Sequence, residues 1–247
     1  MSALLLPLKR FAQQQLDTSR RALSAVRFAL VGRNRPKIFV IGLNKTGTTT
    51  LAHTLHLHGL RVGNQSTAER LAPEYLSGQW EPILAYCTTA QVFQDFPFSF
   101  PETYKQLDKA FPNAKFILSV RDSAAQWYAS RKAHDERLAK RAGLTHFESI
   151  EDLKQIDYVY PGWGYDLYRH LGWSLGNSDA VRAEWLERYH AWTQEVRTHF
   201  ADRPGKLLEV NVGVRDDYRH LCTFLGLRPK LKAFPVRNAS RARAKAS

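Results

Sequence analysis

The residues from Lys45 to Thr50 have the types and the spacing to hold an anion. Lys45 brings a cation, and Thr46, Thr48, Thr49 and Thr50 bring neutral hydroxyl donors, all within KIFVIGLNKTGTTTL at 37–51. Gly42 and Gly47 keep the glycine spacing of the phosphate loop G-x-x-x-x-G-K-[ST], where a lysine after the second glycine reaches the terminal phosphates and the hydroxyl holds magnesium. Here Thr48 occupies that lysine position, and Lys45 lies inside the loop. The loop is suited to an anion but lacks the group with which an ATP-using kinase bridges its β and γ phosphates.

Arg121 is the second candidate. It follows the apolar run FILSV at 116–120, and a guanidinium at the carboxyl end of such a strand is well shaped to take a phosphate in bidentate fashion. An ion pair with Asp122 or with a helix carboxylate is its structural alternative. The same run ending in an acid also fits the magnesium-holding strand of a nucleotide kinase, so a P-loop nucleotide-dependent kinase is an alternative function. His53, His56 and His58 lie close to the first loop, but steps of three and two cannot place all three on one helix face, and no metal site is expected.

Both candidates need an α/β framework to position them. KIFVIGL is a short continuous apolar run rich in β-branched residues, as in a buried parallel strand, and from Gly47 the chain turns helical through Leu51, Leu55 and Leu57 until Gly59. At such a junction the free N–H groups of the first helical turn converge and the helix dipole adds positive charge. Further strands are expected over Ala90–Phe93, Phe116–Val120 and 206–212, and a helix over 218–225 ended by Gly226. The stretch 131–200 is mostly helical and aromatic. It reads as a lid shaping an acceptor pocket, or equally as aromatics packing a helical layer, and Trp185, Tyr189, Trp192 and Val196 fall at helical core spacing.

With these residues in hand, GLNKTGTTTL resembles the 5′-phosphosulfate loop of sulfotransferases that use 3′-phosphoadenosine 5′-phosphosulfate (PAPS). The resemblance implies a three-layer α/β P-loop fold with a central parallel sheet flanked by helices. It also implies that Lys45, Thr46, Gly47, Thr48, Thr49 and Thr50 hold the 5′-phosphate and that Lys45 stabilises charge on the leaving bridging oxygen. In this family an arginine at the end of the second strand and a serine two turns later bind the 3′-phosphate, which implies Arg121 and Ser130. The serine commonly falls eight residues on, whereas Ser130 falls nine on, so Ser123 is a substitute. Cytosolic sulfotransferases end a further strand in a catalytic histidine followed by Leu-Pro; DFP at 95–97 puts Asp95 in that place as the base that takes the acceptor's proton. An N-cap or a partner for a core arginine is its structural alternative, and another His or Glu is the alternative base. The ending LCTFLG at 221–226 with AFPVRN at 233–238 is similar to several sulfotransferase subfamilies, and a basic loop there makes Arg237 a nucleotide contact, with Arg241 and Arg243 behind it. The donor implied is PAPS, without a metal, and the acceptor a hydroxyl or amine of a carbohydrate, lipid or small molecule.

Composition sets the outer limits. With 247 residues and 44% apolar content the chain can fill one α/β domain, read as 37–240 between a basic extension at 1–36 and a basic tail at 241–247. The net charge of +13 sits at the ends: residues 1–37 carry eight Lys or Arg against Asp17 alone, and residues 228–247 carry seven against no acid. A nucleic-acid binder would spread a basic stripe over its fold, so no nucleic-acid partner is expected. A non-catalytic nucleotide-binding or membrane-surface protein is the remaining alternative, and the basic amphipathic pattern Leu16–Leu30 suits a peripheral membrane contact, a transit sequence or a helix packed on the domain. Cys87 and Cys222 are too few for a disulfide framework, and neither a signal peptide nor a membrane span is legible, so a cytoplasmic location is expected.

Overall fold

Four strands, β1 (Ile38–Val40), β2 (Val92–Gln94), β3 (Lys115–Ser119) and β4 (Leu207–Val210), form one parallel sheet in the order β2-β1-β3-β4. The structure, a computed structural model, describes residues 35–235. Leu16–Leu30, Arg237, Arg241 and Arg243 lie outside the described residues. Strand β1 is interior, pairing Val40 with Gln94 of β2 on one side and with Ile117 of β3 on the other. Because every pair is parallel, all the carboxyl ends open on one edge, where ligands bind in sheets of this kind.

Side chains alternate between two faces and so demand a layer on each. Ile38 and Val40 of β1 and Ile117 of β3 pack with Leu51 and Leu55 of α1 (Thr48–Leu57) and with Tyr218, Leu221 and Cys222 of α9 (Asp217–Leu225). Phe39 and Ile41, with Phe116 and Leu118, face the other way. They meet Tyr104 and Leu107 of α5 (Thr103–Ala110), Trp127 of α6 (Ala124–Arg141) and Trp192 and Val196 of α8 (Asp179–Phe200). The result is the three-layer α/β arrangement with helices on both faces of a parallel sheet. Trp185, Tyr189, Trp192 and Val196 are all buried, as their helical spacing implies.

The short helices α2 (Gln65–Glu69), α3 (Ala72–Leu76) and α4 (Trp80–Tyr86) lie between β1 and β2 in the chain, and α7 (Trp163–His170) lies between α6 and α8. Asp108 of α5 ties the end of α8 to the start of β4: it accepts hydrogen bonds from His199 and Arg203 and pairs with Lys206 at 3.1 Å. Strand β2 differs from the apolar run that suggested it. It begins at Val92 and includes the polar Gln94, which stays in the strand through its parallel register with Val40 of β1 while its side-chain amide donates to Gln65 Oε1 at 3.2 Å.

Candidate active site

The loop between β1 and α1 is drawn tight by contacts to three other elements. Gly42 lies so close to β3 that a Cβ there would stand 2.1 Å from Ser119 Oγ and 2.3 Å from Ser119 O. Thr46 is fully buried, with its hydroxyl donating to Leu43 O at 2.5 Å and lying 2.6 Å from Ser119 Oγ. The Trp127 indole donates to Asn44 O at 2.8 Å, and that of Trp192 to Ile41 O at 3.1 Å. These restraints hold Lys45 at φ 72°, a left-handed conformation that costs a non-glycine residue roughly 1 kcal/mol.

What the loop presents is a set of unused donors. Helix α1 has Gly47 (φ 111°) as its N-cap, with no side-chain cap and no acid in its first turn. The backbone N–H groups of Lys45, Gly47, Thr48, Thr49 and Thr50 meet no acceptor among the described residues. Such donors call for a partner, and with a helix dipole behind them the fitting partner is an anion. Gly47 also presses on Val212, 2.5 Å from a Cβ built there, so a side chain would spoil the curve that gathers these groups.

The two candidate stretches come together as the sheet order requires. Arg121, just past β3, donates from Nε to the carbonyl of Lys45 at 2.8 Å, and its own N–H is bound by the Tyr189 hydroxyl at 2.9 Å. Its guanidinium is thereby fixed beside the loop. No carboxylate forms an ion pair with it among the described residues; Asp122 is instead engaged by Gln126 at 2.7 Å and Asn211 at 2.6 Å. Ser123 is the N-cap of α6, accepting from Gln126 N at 3.1 Å, whereas Ser130 is half-buried two turns along, its hydroxyl resting on Gln126 O at 3.2 Å.

Asp95 stands on the opposite flank of β1, one residue past β2. It has φ 61°, and its Oδ1 accepts from Phe96 N at 3.1 Å. Burial pushes its carboxyl above the ordinary range, against the pull of the Lys45 charge and the Phe96 N–H. Burial in turn lowers Lys45, while Asp95 and Asp135 hold it up. Lys45 and Asp95 thus feel each other directly.

Several groups that no motif signals also gather here. Glu69 accepts from the Tyr158 hydroxyl at 2.9 Å, its carboxyl raised by burial and by Asp95, while Gln65 reaches from the same helix to Phe96 O at 3.0 Å. On α6, burial and then Lys45, Arg137, Arg131 and Arg141 push His134 down to about 4, so it is neutral at pH 7. Arg131 is stacked 3.5 Å over the Trp185 ring and pairs with Asp135 at 3.3 Å. His58 belongs to the core, bonded to the Tyr218 hydroxyl at 3.1 Å. Among the described residues no group of three or more His, Cys, Asp or Glu gathers as metal ligands, and no helix is long and apolar enough to cross a membrane.

A family model described as a sulfotransferase domain matches residues 37–243, from the start of β1 past the end of the described chain. A search of the curated proteins finds no match.

Proposed function

The chain belongs to the sulfotransferase domain family, and from that premise we propose that it moves a sulfuryl group from PAPS to a hydroxyl or amine of an acceptor. The observation that carries this reading is the Arg121–Lys45 contact, which sets a guanidinium beside a loop of unused N–H donors. Two negative groups at the two ends of one nucleotide would match that pair of sites. The bound nucleotide would supply the sulfuryl group and depart as adenosine 3′,5′-bisphosphate.

The chain's own residues divide the work. The N–H groups of Lys45, Gly47, Thr48, Thr49 and Thr50 hold the 5′-phosphate, with the exposed Thr49 hydroxyl free to add a bond. Thr46 contributes by bracing the loop against Ser119. Lys45 stabilises negative charge as the bond from sulfur to the bridging oxygen breaks. Arg121, with Ser130 once its hydroxyl turns from Gln126 O, selects a 3′-phosphorylated nucleotide. Asp95 takes the acceptor's proton as the new bond to sulfur forms; its burial makes it a better base than a free aspartate.

A transfer assay tests this reading. Enzyme incubated with sulfur-labelled PAPS and mixed hydroxyl and amine acceptors, in a metal chelator, should label an acceptor. Transfer of phosphate from ATP that requires magnesium, with no sulfur transfer, would favour the kinase instead.

A further inference from the structure

Strand β2 ends at Gln94, so Asp95 follows the last ladder position, at φ 61° and outside any regular element. A non-glycine residue keeps such a conformation only where its surroundings over-determine it. Here the grip comes from α2. The Gln65 side chain takes hold of both neighbours of Asp95: its Oε1 accepts from Gln94 Nε2 at 3.2 Å, and its Nε2 donates to Phe96 O at 3.0 Å. An amide offers a donor and an acceptor from one planar end, so the two bonds fix which way it faces.

Gln65 is itself held. Its Nε2 also lies 3.4 Å from Glu69 Oε1, one turn along α2, and the same oxygen accepts from the Tyr158 hydroxyl at 2.9 Å. The Trp163 indole donates to Glu69 O at 3.1 Å, so the turn 156–163 grips Glu69 by both its side chain and its carbonyl. Within that turn Gly162 N donates to Ile156 O at 3.1 Å, and the Tyr158 and Trp163 rings lie 5.3 Å apart. A second route is apolar, the Trp163 ring standing edge-on to Phe96 at 5.3 Å. Two paths thus run from this turn to the residues that flank Asp95.

Two features set the network apart from packing alone. Tyr158 is 59% exposed, yet its hydroxyl is spent on Glu69 instead of water. Gln94 Oε1 is buried and meets no hydrogen-bond partner among the described residues, a cost that a network serving only the fold would not carry.

We propose that Gln65 and Glu69 are positioning residues for the transfer: Gln65 sets Asp95 by its two neighbours, and Glu69 ties that grip to Tyr158, so that the turn 156–163 must be seated for the base to stand in place. The inference rests on the reading of Asp95 as the base that takes the acceptor's proton. Gln65 acts through Gln94 and Phe96, and Glu69 through Gln65.

The charged and titratable groups that face Asp95 are Lys45 from the loop after β1, Glu69 from α2 and Tyr158 from the turn. Burial holds its carboxyl above the ordinary range, so an Asp95 released from the grip meets water and falls back. Carbon-13 NMR of the Asp95 carboxyl follows this on the full-length protein with adenosine 3′,5′-bisphosphate bound, the signal being assigned by its loss in Asp95→Asn. The variants are Gln65→Ala and Tyr158→Phe, the second of which keeps the ring and leaves the core untouched. In both, the Asp95 pKa should move down toward the ordinary carboxylate value, further in Gln65→Ala, with bisphosphate affinity unchanged. Transfer from sulfur-labelled PAPS to mixed hydroxyl and amine acceptors should fall in Gln65→Ala by on the order of 10²-fold, the loss expected when a reacting group is misplaced by about 1 Å. An Asp95 pKa that stays put or rises in Gln65→Ala, or that Tyr158→Phe leaves unmoved, would overturn the proposal. So would unaltered transfer in Gln65→Ala, or loss of bisphosphate affinity in either variant, which would assign the network to the nucleotide site. Transfer at the wild-type rate by Asp95→Asn would refute the base assignment, and a wild type that binds no bisphosphate the sulfotransfer reading itself, each distinguishable from failure of the grip.

Discussion

In the proposed function Lys45 and Asp95 act on the two sides of the transferred group, and each is held in a left-handed backbone conformation, at φ 72° and 61°, that only a constrained loop maintains. Removing the lysine should therefore damage the chemical step more than nucleotide binding, which the loop amides still support. Lys45→Ala is expected to lower kcat by about 10²- to 10³-fold, the loss typical of one oxyanion donor, with a much smaller change in bisphosphate affinity; a larger effect on affinity than on kcat would contradict its role. For Asp95 the sign follows from burial. Its folded-state pKa is raised, so the ionised base forms only above the ordinary carboxylate range, and kcat/KM should climb with pH through that raised value. The same shift means the folded protein holds this proton more tightly than the unfolded chain does. The associated stability is complete below the unfolded pKa and is lost as pH rises through the folded one. Asp95→Asn should accordingly abolish the acid limb and most activity, yet melt at a higher temperature than the wild type at pH 7, with the gain shrinking towards pH 4. An unaltered pH profile in this variant would remove Asp95 as the base.

At the scale of elements, the site exists because β1 lies between β2 and β3, so that Asp95, the loop and Arg121 open side by side on one sheet edge. The spacing between β1 and β3 depends on Gly42. A methyl group there would meet Ser119 backbone and side chain well inside contact distance, so Gly42→Ala should destabilise the protein by about 2–3 kcal/mol and weaken bisphosphate binding together with stability. Unchanged chemical denaturation in this variant would refute the tight loop. Much of this level was legible in the sequence: the apolar run of β1, the glycine-bounded loop, and the arginine closing the next strand were all signalled by local pattern. The braces were not. Trp127, Trp192 and Tyr189 read as core aromatics, and they are, but their polar tips also bind Asn44 O, Ile41 O and Arg121 N across long sequence separations. Glu69 and Tyr158 are 89 residues apart and form their contact only once α2 is folded against the segment after α6. Ser130 and Ser123 both stay open in the sequence because Ser130 falls nine residues after Arg121 where the resemblance expects eight; in the structure Ser123 caps α6, and Ser130 lies two turns along with its hydroxyl on Gln126 O.

Over the whole molecule the charge is concentrated at the two ends, leaving a body close to neutral in which cations are placed locally, at the loop and along α6. If the nucleotide site is the centre of function, deleting residues 1–35 should leave bisphosphate affinity within about twofold, since rim charges away from a site act weakly through screening solvent. Loss of that affinity would favour a surface binder driven by the basic ends. The most direct test of the central claim is calorimetric titration of adenosine 3′,5′-bisphosphate, against ADP and ATP with and without magnesium, into the wild type and Arg121→Ala. The account predicts metal-independent binding of the bisphosphate over ADP and ATP, weakened in the variant by about 1.5–3 kcal/mol, the loss expected for a charge-assisted phosphate contact. Preference for ATP with magnesium, or a bisphosphate affinity indifferent to Arg121, would contradict it.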